Sequence, residues 1–329
     1  MLPAALAVVM MNAEPQWVVY ESPKPNGKSI VFLSGDEEYR SEEAMPQLAK
    51  ILAYRHGFKC TVLFSLNSKG EIDPNEHGNQ PGMEALDTAD LCIILLRFRA
   101  WPDSQMKHFS DFYLRGKPII GLRTSTHAFD YPADSKSPYA KFGWRSKEWQ
   151  GGFGRQVLGE TWISHWGNHG SQATRGVIST PHQILYGVKD IFGTTDVYEA
   201  SPPPDSKILV RGQVLSGMNP TDPPAKAMKR TSKGVDQDLN TPMMPIAWMR
   251  TPMNEAGKKN MIMTTTMGAA TDLLNEGVRR LIVNSALFMT GTKLDKNHPT
   301  NVNLVGVYEP SKFGFEGFKK GLKPKDFVE

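Results

Sequence analysis

Residues 117–129, K-P-I-I-G-L-R-T-S-T-H-A-F, decide the fold of this chain. The apolar run at 118–120 is typical of a strand buried on both faces of a parallel sheet. After Gly121 the stretch turns polar, with a guanidinium, three hydroxyls and an imidazole between Arg123 and His127. In open α/β sheets, ligands bind just beyond the carboxyl ends of the strands. The stretch therefore predicts a functional turn directly after a buried strand.

Strand and helix signals alternate on the amino-terminal side of this turn. Continuous apolar runs predict strands at 28–33, 58–64, 91–96 and 118–121. Apolar spacing and turn signals predict helices at 41–57, 83–89 and 103–114. Buried, non-alternating strands joined by helices indicate an α/β fold with a doubly wound, mostly parallel sheet.

The second half of the chain does not continue this regular alternation of strands and helices. A long loop rich in aromatic residues is predicted at 130–176, and such loops in compact domains are usually functional. Beyond it we predict short elements at 181–188 and 196–199, strands at 207–214, 246–249 and 260–265, and a helix at 275–289. The predicted organisation is an extended lead-in at 14–27, one α/β domain at 28–291 and an irregular C-terminal strap at 292–329.

Composition excludes several classes of protein. The 329 residues are 40% hydrophobic and 22% charged, which is ordinary for a globular protein. The net charge of +4 comes without a dense basic run, so nucleic acid is not a predicted partner. The two cysteines, Cys60 and Cys92, lie in apolar runs and are predicted to be buried core thiols. Association into a homo-oligomer stays open.

The N-terminus resembles part of an export signal. Residues 2–11 are apolar and are followed by Asn12 and Ala13, which suits the apolar region and cleavage site of a secretory signal. Ten residues are too few to span a bilayer, and no later segment is a predicted membrane helix. We expect residues 1–13 to be the remnant of a signal peptide and the protein to be exported, periplasmic or secreted. Because a basic start is missing, a cytoplasmic protein with a frayed N-terminus is the alternative.

Three stretches together resemble the ThuA-like (trehalose-utilisation) family, within the class I glutamine amidotransferase-like superfamily. They are S-G-D-E-E-Y-R at 34–40, G-L-R-T-S-T-H-A-F at 121–129, and the closing segments P-I-A-W-M-R, M-I-M-T-T-T-M-G-A-A-T-D-L and R-R-L-I-V-N-S-A-L-F between 245 and 288. The sequence D-V-Y-E at 196–199 also looks like a family motif. The resemblance extends over about residues 28–291.

The resemblance implies a flavodoxin-like sheet and a small-molecule carbohydrate partner, with 3-keto-sugar derivatives as the implied substrates. It does not imply amidotransferase activity, because that reaction uses a cysteine at the elbow and neither Cys60 nor Cys92 is there. The chain also has G-A-A-T-D-L at 268–273, where many relatives have a Gly-His pair. No role for that histidine carries over.

The predicted catalytic residues are His127, Ser125, Glu38 and Asp36. His127 is a candidate general acid or base, since the ordinary pKa of histidine lies near neutral pH. Arg123 and His127 flank Ser125 two positions away on either side, and both are too bulky for a tight nucleophile elbow. Alternatively, His127 ties down its own turn, and the carboxylates belong to a solvated turn.

Predicted substrate-binding residues follow strands or lie in the long loop. They are Tyr39, Arg97, Arg123, Thr124, Trp162, Trp166, Glu199 and Asp272. Arg97 and Arg123 end adjacent strands, so they could hold a carboxylate, a phosphate or a keto oxygen, or pair with residues 36–38. The tryptophans could form a wall for a sugar ring.

His165 and His169 are candidate ligands of a divalent metal, Zn or Mn, and no other cofactor is predicted. Their i, i+4 spacing resembles that of zinc proteases, but no Glu follows the first His and Gly167 disfavours a regular helix. A third ligand is needed, for which His127, His182 and Glu160 are candidates. The alternatives are a sugar-binding wall, and aromatic packing that pins the loop to the sheet.

Three hypotheses for function therefore remain. The first is an enzyme that moves a proton on a sugar or 3-keto-sugar, as an isomerase or lyase. The second is a non-catalytic carbohydrate-binding or scaffold protein with an amidotransferase-like fold. The third is a metal-dependent hydrolase of glycosides. All three place the site at the carboxyl edge of the predicted sheet.

Overall fold

A ten-stranded sheet organises the computed structural model, which describes residues 14–328. The strands of the described part are β1 Trp17–Tyr20, β2 Ser29–Gly35, β3 Lys59–Phe64, β4 Leu91–Leu96, β5 Ile119–Leu122, β6 Thr174–Ile178, β7 Phe192–Gly193, β8 Lys207–Val214, β9 Met228–Arg230, β10 Asp236–Asp238, β11 Met244–Arg250 and β12 Ile262–Thr265. The helices are α1 Ser41–His56, α2 Asp103–Leu114 and α3 Glu276–Met289. Strands β9 and β10 form a separate hairpin.

The centre of the sheet is parallel, as predicted. Across the whole sheet the order is β1-β3-β2-β4-β5-β12-β11-β8-β6-β7. Within the run β3-β2-β4-β5-β12, every pair of neighbouring strands is parallel. Every residue of β4 is buried, which explains its unbroken apolar sequence. The carboxyl ends of these strands meet at one edge of the sheet.

Helices cover both faces of the sheet. Apolar side chains of α1 and α3 pack on one face, with Leu48 and Ile282 in the same core. Phe109 and Phe112 of α2 pack on the other face, together with Phe142 and Phe153 of the long loop. This two-sided core confirms the doubly wound architecture, and aromatic packing explains why the long loop is ordered without strands or long helices.

The far half of the sheet is antiparallel. Strand β11 pairs antiparallel with both β12 and β8, and β6 adds to β8 in the same manner. The three late strands predicted from sequence are therefore present. Strands β11, β8 and β6 extend the sheet away from the parallel centre, and the boundary between the two halves lies between β12 and β11.

Some predicted elements differ from the structure. The lead-in contains β1, which pairs antiparallel with β3 at the edge of the sheet. The helix predicted at 83–89 is a single 3-10 turn, Met83–Asp87. Residues 181–188 contain only the 3-10 turn Gln183–Leu185, and 196–199 contribute one bridge between Tyr198 and His165. Each segment is too short for sequence periodicity to identify.

The predicted strap follows α3 and is irregular apart from the 3-10 turn Pro324–Phe327. The predicted signal segment, residues 1–13, lies outside the described residues. Between residues 14 and 328, no helix is long and apolar enough to cross a membrane.

Candidate active site

The turn after β5 forms the floor of the candidate site. Residues Arg123–His127 make a 3-10 helix whose five side chains are all buried. Gly154 of the long loop approaches this turn so closely that a Cβ atom there would lie 1.9 Å from the carbonyl oxygen of Thr126. Glycine therefore lets the loop press directly onto the turn and bring its rings over the strand ends.

Two predicted catalytic side chains, Asp36 and Ser125, tie strand ends together. The hydroxyl of Thr124 donates a hydrogen bond to the carboxylate of Asp36. The hydroxyl of Ser125 donates to the carbonyl of Ile94 at 2.9 Å and accepts from the amide of Leu96 at 3.2 Å. Asp36, Thr124 and Ser125 are completely buried. Their contacts indicate a structural role instead of the predicted catalytic or binding roles.

Arg123 is a buried anchor. Its guanidinium donates to Oδ1 of Asp196 at 2.8 Å and to the hydroxyl of Tyr39 at 3.0 Å. It also donates to the carbonyl of Thr266 at 2.8 Å and lies 3.8 Å from the ring centre of Tyr198. A cation over an aromatic face is stabilised when both are removed from water. Arg123 and Tyr39 therefore position Asp196, although both were predicted to bind substrate.

His127 lies in a cage of aromatic rings. The ring centres of Phe98, Trp162 and Trp144 lie 5.1, 5.7 and 6.3 Å from the centre of its imidazole. Two of these rings belong to the long loop, and Phe98 follows β4. The cage explains why the predicted turn and the predicted aromatic loop form one site.

The imidazole of His127 is neutral. Burial, followed by the positive charges of Arg97 and Arg123, holds its pKa well below the ordinary value for histidine. Its Nδ1 atom lies 3.2 Å from the hydroxyl of Thr126. None of the described residues is hydrogen-bonded to Nε2, so this nitrogen is available to a ligand.

Asp196 holds two histidines of the long loop. Its Oδ2 atom lies 2.8 Å from Nδ1 of His165, and its Oδ1 atom lies 3.1 Å from Nδ1 of His169. The ring centres of the two histidines are 4.7 Å apart. Because a carboxylate only accepts hydrogen bonds, these distances assign a proton to Nδ1 of each ring. No hydrogen bond from residues 14–328 engages Nε2 of His165.

The carboxylate of Asp196 is ionised. Burial acts to raise its pKa, but the Arg123 guanidinium and the hydrogen bonds from His165 and His169 hold the pKa well below its ordinary range. The side chain is completely buried. Asp196 is therefore a fixed negative charge that orients both rings.

His169 bridges two acidic side chains. Its Nδ1 faces Asp196, and its Nε2 lies 3.3 Å from Oε1 of Glu38. The hydrogen bond to Asp196 raises the pKa of His169 despite its partial burial. Only the imidazolium form donates through both nitrogens. Burial and the nearby Asp36 raise the pKa of Glu38, whose Oε2 lies 3.9 Å from the Arg97 guanidinium.

Three predicted binding residues have structural contacts elsewhere. The indole nitrogen of Trp166 is buried and donates to the carbonyl of Leu239 at 2.9 Å. Glu199 accepts a hydrogen bond from Ser164 at 2.9 Å. Asp272, completely buried, accepts from the hydroxyl of Thr195 at 2.9 Å. Trp162, in contrast, lies between two site histidines, with its ring centre 5.8 Å from that of His165.

Sequence reasoning missed Asp196, the residue on which the histidine pair depends. The motif at 196–199 carried the only signal, and it led to Glu199 as the candidate. Sequence reasoning also missed Trp144, Phe98 and Phe313, because aromatic residues are equally common in protein cores and their type alone gives no signal for a site.

His165, His169 and Asp196 also form a candidate set of metal ligands. One ligand atom from each lies within 4.8 Å of the other two. Two imidazoles and a carboxylate suit Zn or Mn, the ions expected from the sequence. Asp196 takes the place of the expected third ligand, so this group includes none of His127, His182 or Glu160. Arg123 already balances the charge of Asp196, which opposes a further dication.

Comparisons with known proteins agree with the fold. No protein-family model matches the chain, and no curated protein sequence matches it. A solved structure from Parabacteroides merdae, described as ThuA-like, has a TM-score of 0.51 at 12% identity, covering 93% of this chain and 100% of that chain. Another, from Bacteroides uniformis and also described as ThuA-like, has a TM-score of 0.46 at 16% identity, covering 81% and 92%. The chain is thus similar in fold to a ThuA-like protein, as its sequence motifs predict.

Proposed function

We propose that the protein is an enzyme of carbohydrate metabolism that catalyses proton transfer on a sugar, with 3-keto-sugars as the substrate class. The observation that carries the proposal is the buried carboxylate of Asp196, which orients His165 and His169 beside the neutral His127. Enolisation requires a group that accepts a proton from carbon and a positive charge near the keto oxygen, and these imidazoles can supply both. The resemblance to ThuA-like proteins supports a sugar as the substrate.

His165 is the proposed general base. Asp196 holds its Nδ1 proton, which leaves the Nε2 lone pair to take a proton from the carbon beside the keto group. A positioned base of this kind contributes roughly 10²- to 10⁴-fold to the rate. The electron pair of the broken C–H bond moves onto the keto oxygen and forms an enolate.

His169 is the proposed stabiliser of that enolate. Its imidazolium carries a positive charge next to His165, and fixed charges of this kind act where negative charge develops. For isomerisation, the hydroxyl on the deprotonated carbon passes its proton to the enolate oxygen, and the protonated His165 returns a proton to the former carbonyl carbon. For elimination, the electron pair re-forms the keto group and the carbon beyond the deprotonated one loses its leaving group with the C–O bond electrons.

Aromatic rings supply the surface for the sugar. Trp162 lies between His127 and His165, so a sugar ring against its face would meet both imidazoles. The free Nε2 of His127 can accept a hydrogen bond from a hydroxyl, or act as a second proton acceptor. Ser125 and Asp36 take no part in this scheme because protein groups occupy their polar atoms.

The candidate metal-ligand group supports a second function, metal-dependent hydrolysis of glycosides. A Zn²⁺ or Mn²⁺ ion on His165, His169 and Asp196 would activate a water molecule. We rank this function second because Arg123 lies 2.8 Å from Oδ1 of Asp196 and would repel the ion.

Proton NMR in D₂O tests the proposal directly, with a methyl 3-keto-glucoside as the probe. Catalysed enolisation replaces the C–H protons beside the keto group with deuterium, even when no net product forms. We expect the protein to accelerate this loss of signal over a protein-free sample, and His165→Asn to abolish the acceleration. The matched control is His298→Asn, which changes an exposed histidine far along the chain.

The same samples distinguish the rival functions after treatment with a chelator. Exchange that survives the chelator supports proton transfer by side chains. Exchange or hydrolysis that is lost, and then returns with added Zn²⁺ or Mn²⁺, favours the metal centre. Line broadening of the probe without any exchange shows a binding protein and contradicts the proposed enzyme.

A further inference from the structure

A cavity of about 440 Å³ adjoins the segment that carries the two site histidines, and we call it the hairpin cavity. Part of its wall is the turn between β9 and β10, and another part is Ile163, two positions before His165. The residues that line it include none of the site histidines. Its volume lies within the range of small-molecule sites, roughly 300–1,000 Å³. The hairpin cavity is therefore large enough for a ligand and separate from the proposed catalytic groups.

Apolar side chains make up most of the wall of the hairpin cavity. They include Ile163, Pro202, Ile208, Val235, Met243 and Pro245. Val235 is 61% exposed, so its side chain still has apolar surface to bury. A ligand with an apolar body would remove such surface from water, which favours binding. The wall therefore indicates a ligand that is apolar over most of its length.

An irregularity in β8 brings an apolar and a charged side chain to the same wall. Ile208 and Arg211 both line the hairpin cavity although they lie three positions apart in the strand. In a regular strand, residues with this spacing face opposite sides of the sheet. The register between β8 and β11 shifts on both sides of Ala247, as it does at a β-bulge. This shift explains how Arg211 comes to lie beside the apolar wall.

Two cationic side chains in the wall keep hydrogen-bond donors for a ligand. Arg211 donates to the carbonyl of Met243 at 2.8 Å, and Lys233 donates to the hydroxyl of Ser201 at 3.3 Å. Both acceptors are neutral, and neither cation forms an ion pair with any of residues 14–328. A guanidinium has five donors and an ammonium has three, so both groups can still bind an anion.

Among the described residues that line the cavity, Glu199 alone is acidic, and its carboxylate is occupied. Oε1 of Glu199 accepts hydrogen bonds from the amide and the hydroxyl of Ser232, at 2.8 and 2.6 Å. Oε2 accepts from the hydroxyl of Ser164 at 2.9 Å. With Glu199 included, the wall carries two positive charges and one negative charge. A ligand with a single negative charge balances it.

We propose that the hairpin cavity binds a small amphipathic carboxylate. Its apolar body lies against Ile208 and Val235, and its carboxylate accepts hydrogen bonds from Arg211 and Lys233. A cationic ligand would meet two like charges there. The inference goes beyond the proposed function and does not depend on it, because the site histidines do not line this cavity.

The ligand 4-phenylbutyrate is a suitable probe, because it joins one carboxylate to a compact apolar body. Its neutral amide has nearly the same shape and lacks the charge. We expect the amide to bind roughly 5- to 10-fold more weakly, because hydrogen bonds to charged groups are the stronger ones. Acetate should bind at least roughly 10-fold more weakly than 4-phenylbutyrate, because it lacks the apolar body. Titration of each probe with the protein, followed by proton NMR, measures the Kd values.

Two variants in the turn of the hairpin test the two parts of the site. We expect Lys233→Gln to weaken binding of 4-phenylbutyrate by roughly 2- to 5-fold and to leave binding of the amide unchanged. Val235→Asn should weaken binding of both probes by roughly 2- to 5-fold. Both side chains are exposed, so neither variant should unfold the protein. The matched control is Lys226→Gln, which changes an exposed lysine outside the cavity wall.

Each outcome has a definite meaning. Failure of 4-phenylbutyrate to bind overturns the site, and equal affinities for 4-phenylbutyrate and its amide overturn the carboxylate. Equal effects of Lys233→Gln and Lys226→Gln show that the probe binds elsewhere, which also overturns the site. Loss that is selective for 4-phenylbutyrate in Lys233→Gln supports the site. That result stands even where the protein exchanges no protons of a keto-sugar, and in that case only the proposed catalysis fails.

Discussion

Oδ1 of Asp196 lies 2.8 Å from the guanidinium of Arg123, and water reaches neither side chain. This ion pair joins the turn after β5 to the segment that holds the two site histidines. Both charges are buried, so each is stabilised by the other. Removing one leaves the other charge without this counter-ion in a medium of low polarity.

Loss of Arg123 should destabilise the whole fold. We expect Arg123→Met to lower the free energy of unfolding by about 3–5 kcal/mol, because Asp196 would lose the completely buried cation that lies 2.8 Å from its Oδ1 atom. Urea unfolding followed by tryptophan fluorescence measures the change. The control is Arg145→Met, which breaks the exposed pair with Asp130 and should cost less than about 1 kcal/mol. Similar losses of unfolding free energy in the two variants would contradict the role of Arg123 as a buried anchor.

Loss of the Asp196 carboxylate should slow turnover strongly. Asp196→Asn places a donor where His165 needs an acceptor, so the imidazole loses its fixed orientation. We expect the exchange rate with methyl 3-keto-glucoside to fall by roughly 10²- to 10⁴-fold. Asp295→Asn is the matched control, since it alters an exposed Asp–His pair, with His298 at 2.7 Å. Equal activity of the two variants would rule out orientation by Asp196.

Acid should destabilise the protein partly through His127. Burial lowers the pKa of His127 in the folded chain. Below pH 6.5, the ordinary pKa of histidine, this residue therefore binds a proton in the unfolded chain but stays neutral in the folded chain. Stability is therefore lost as the pH falls below 6.5, by at most about 1.4 kcal/mol per pH unit for this one group. Urea midpoints at pH 7.5 and pH 5 should differ less for His127→Gln than for the unmodified protein. An identical difference would show that His127 is charged in the fold.

Glu42 should make the protein less stable as the pH rises, whereas His127 makes it less stable as the pH falls. It is buried in the first turn of α1, neither carboxylate oxygen has a hydrogen-bond partner among the described residues, and burial raises its pKa to about 8. Between pH 4.5 and 8 the unfolded chain releases a proton that the folded chain keeps, so stability is lost as the pH rises. Glu42→Gln should therefore be increasingly more stable than the unmodified protein from pH 5 to pH 8. Glu276→Gln, which changes an exposed side chain in the first turn of α3, should show no such trend.

The central fold could be predicted because its strands carry a strong local signal. The buried strand β4 has an apolar side chain at each of its six positions, a pattern typical of a strand buried on both faces of a parallel sheet. The edge strand β1 gave no comparable signal, because it has four residues and follows a proline-containing lead-in. Its pairing with β3 depends on a partner more than forty positions away, which local sequence does not reveal.

The site could be predicted only in part, for a related reason. His127 and Glu38 follow from residue type and position after strands, and His165 and His169 follow from their spacing in the long loop. Ser125 also has a suitable residue type and follows a strand, yet its hydroxyl forms hydrogen bonds with the main chain of β4. A polar group after a strand can bind either a ligand or the backbone, and only the folded chain shows which. Asp196 became recognisable only when tertiary structure placed it between two distant histidines.

The attachment of the strap has an evolutionary consequence. Glu43 and Glu37 hold main-chain amides of Ser311 and Glu316, and the ring of Phe313 packs against Tyr39, so the anchorage of this segment does not depend on the side chain of Phe315. Phe315 is 57% exposed and its ring lies 4.9 Å from the guanidinium carbon of Arg97, so substitutions there change the surface around Arg97 without releasing the segment. The same scaffold could diversify its range of substrates through this short piece of chain, while the catalytic groups on the sheet edge stay untouched.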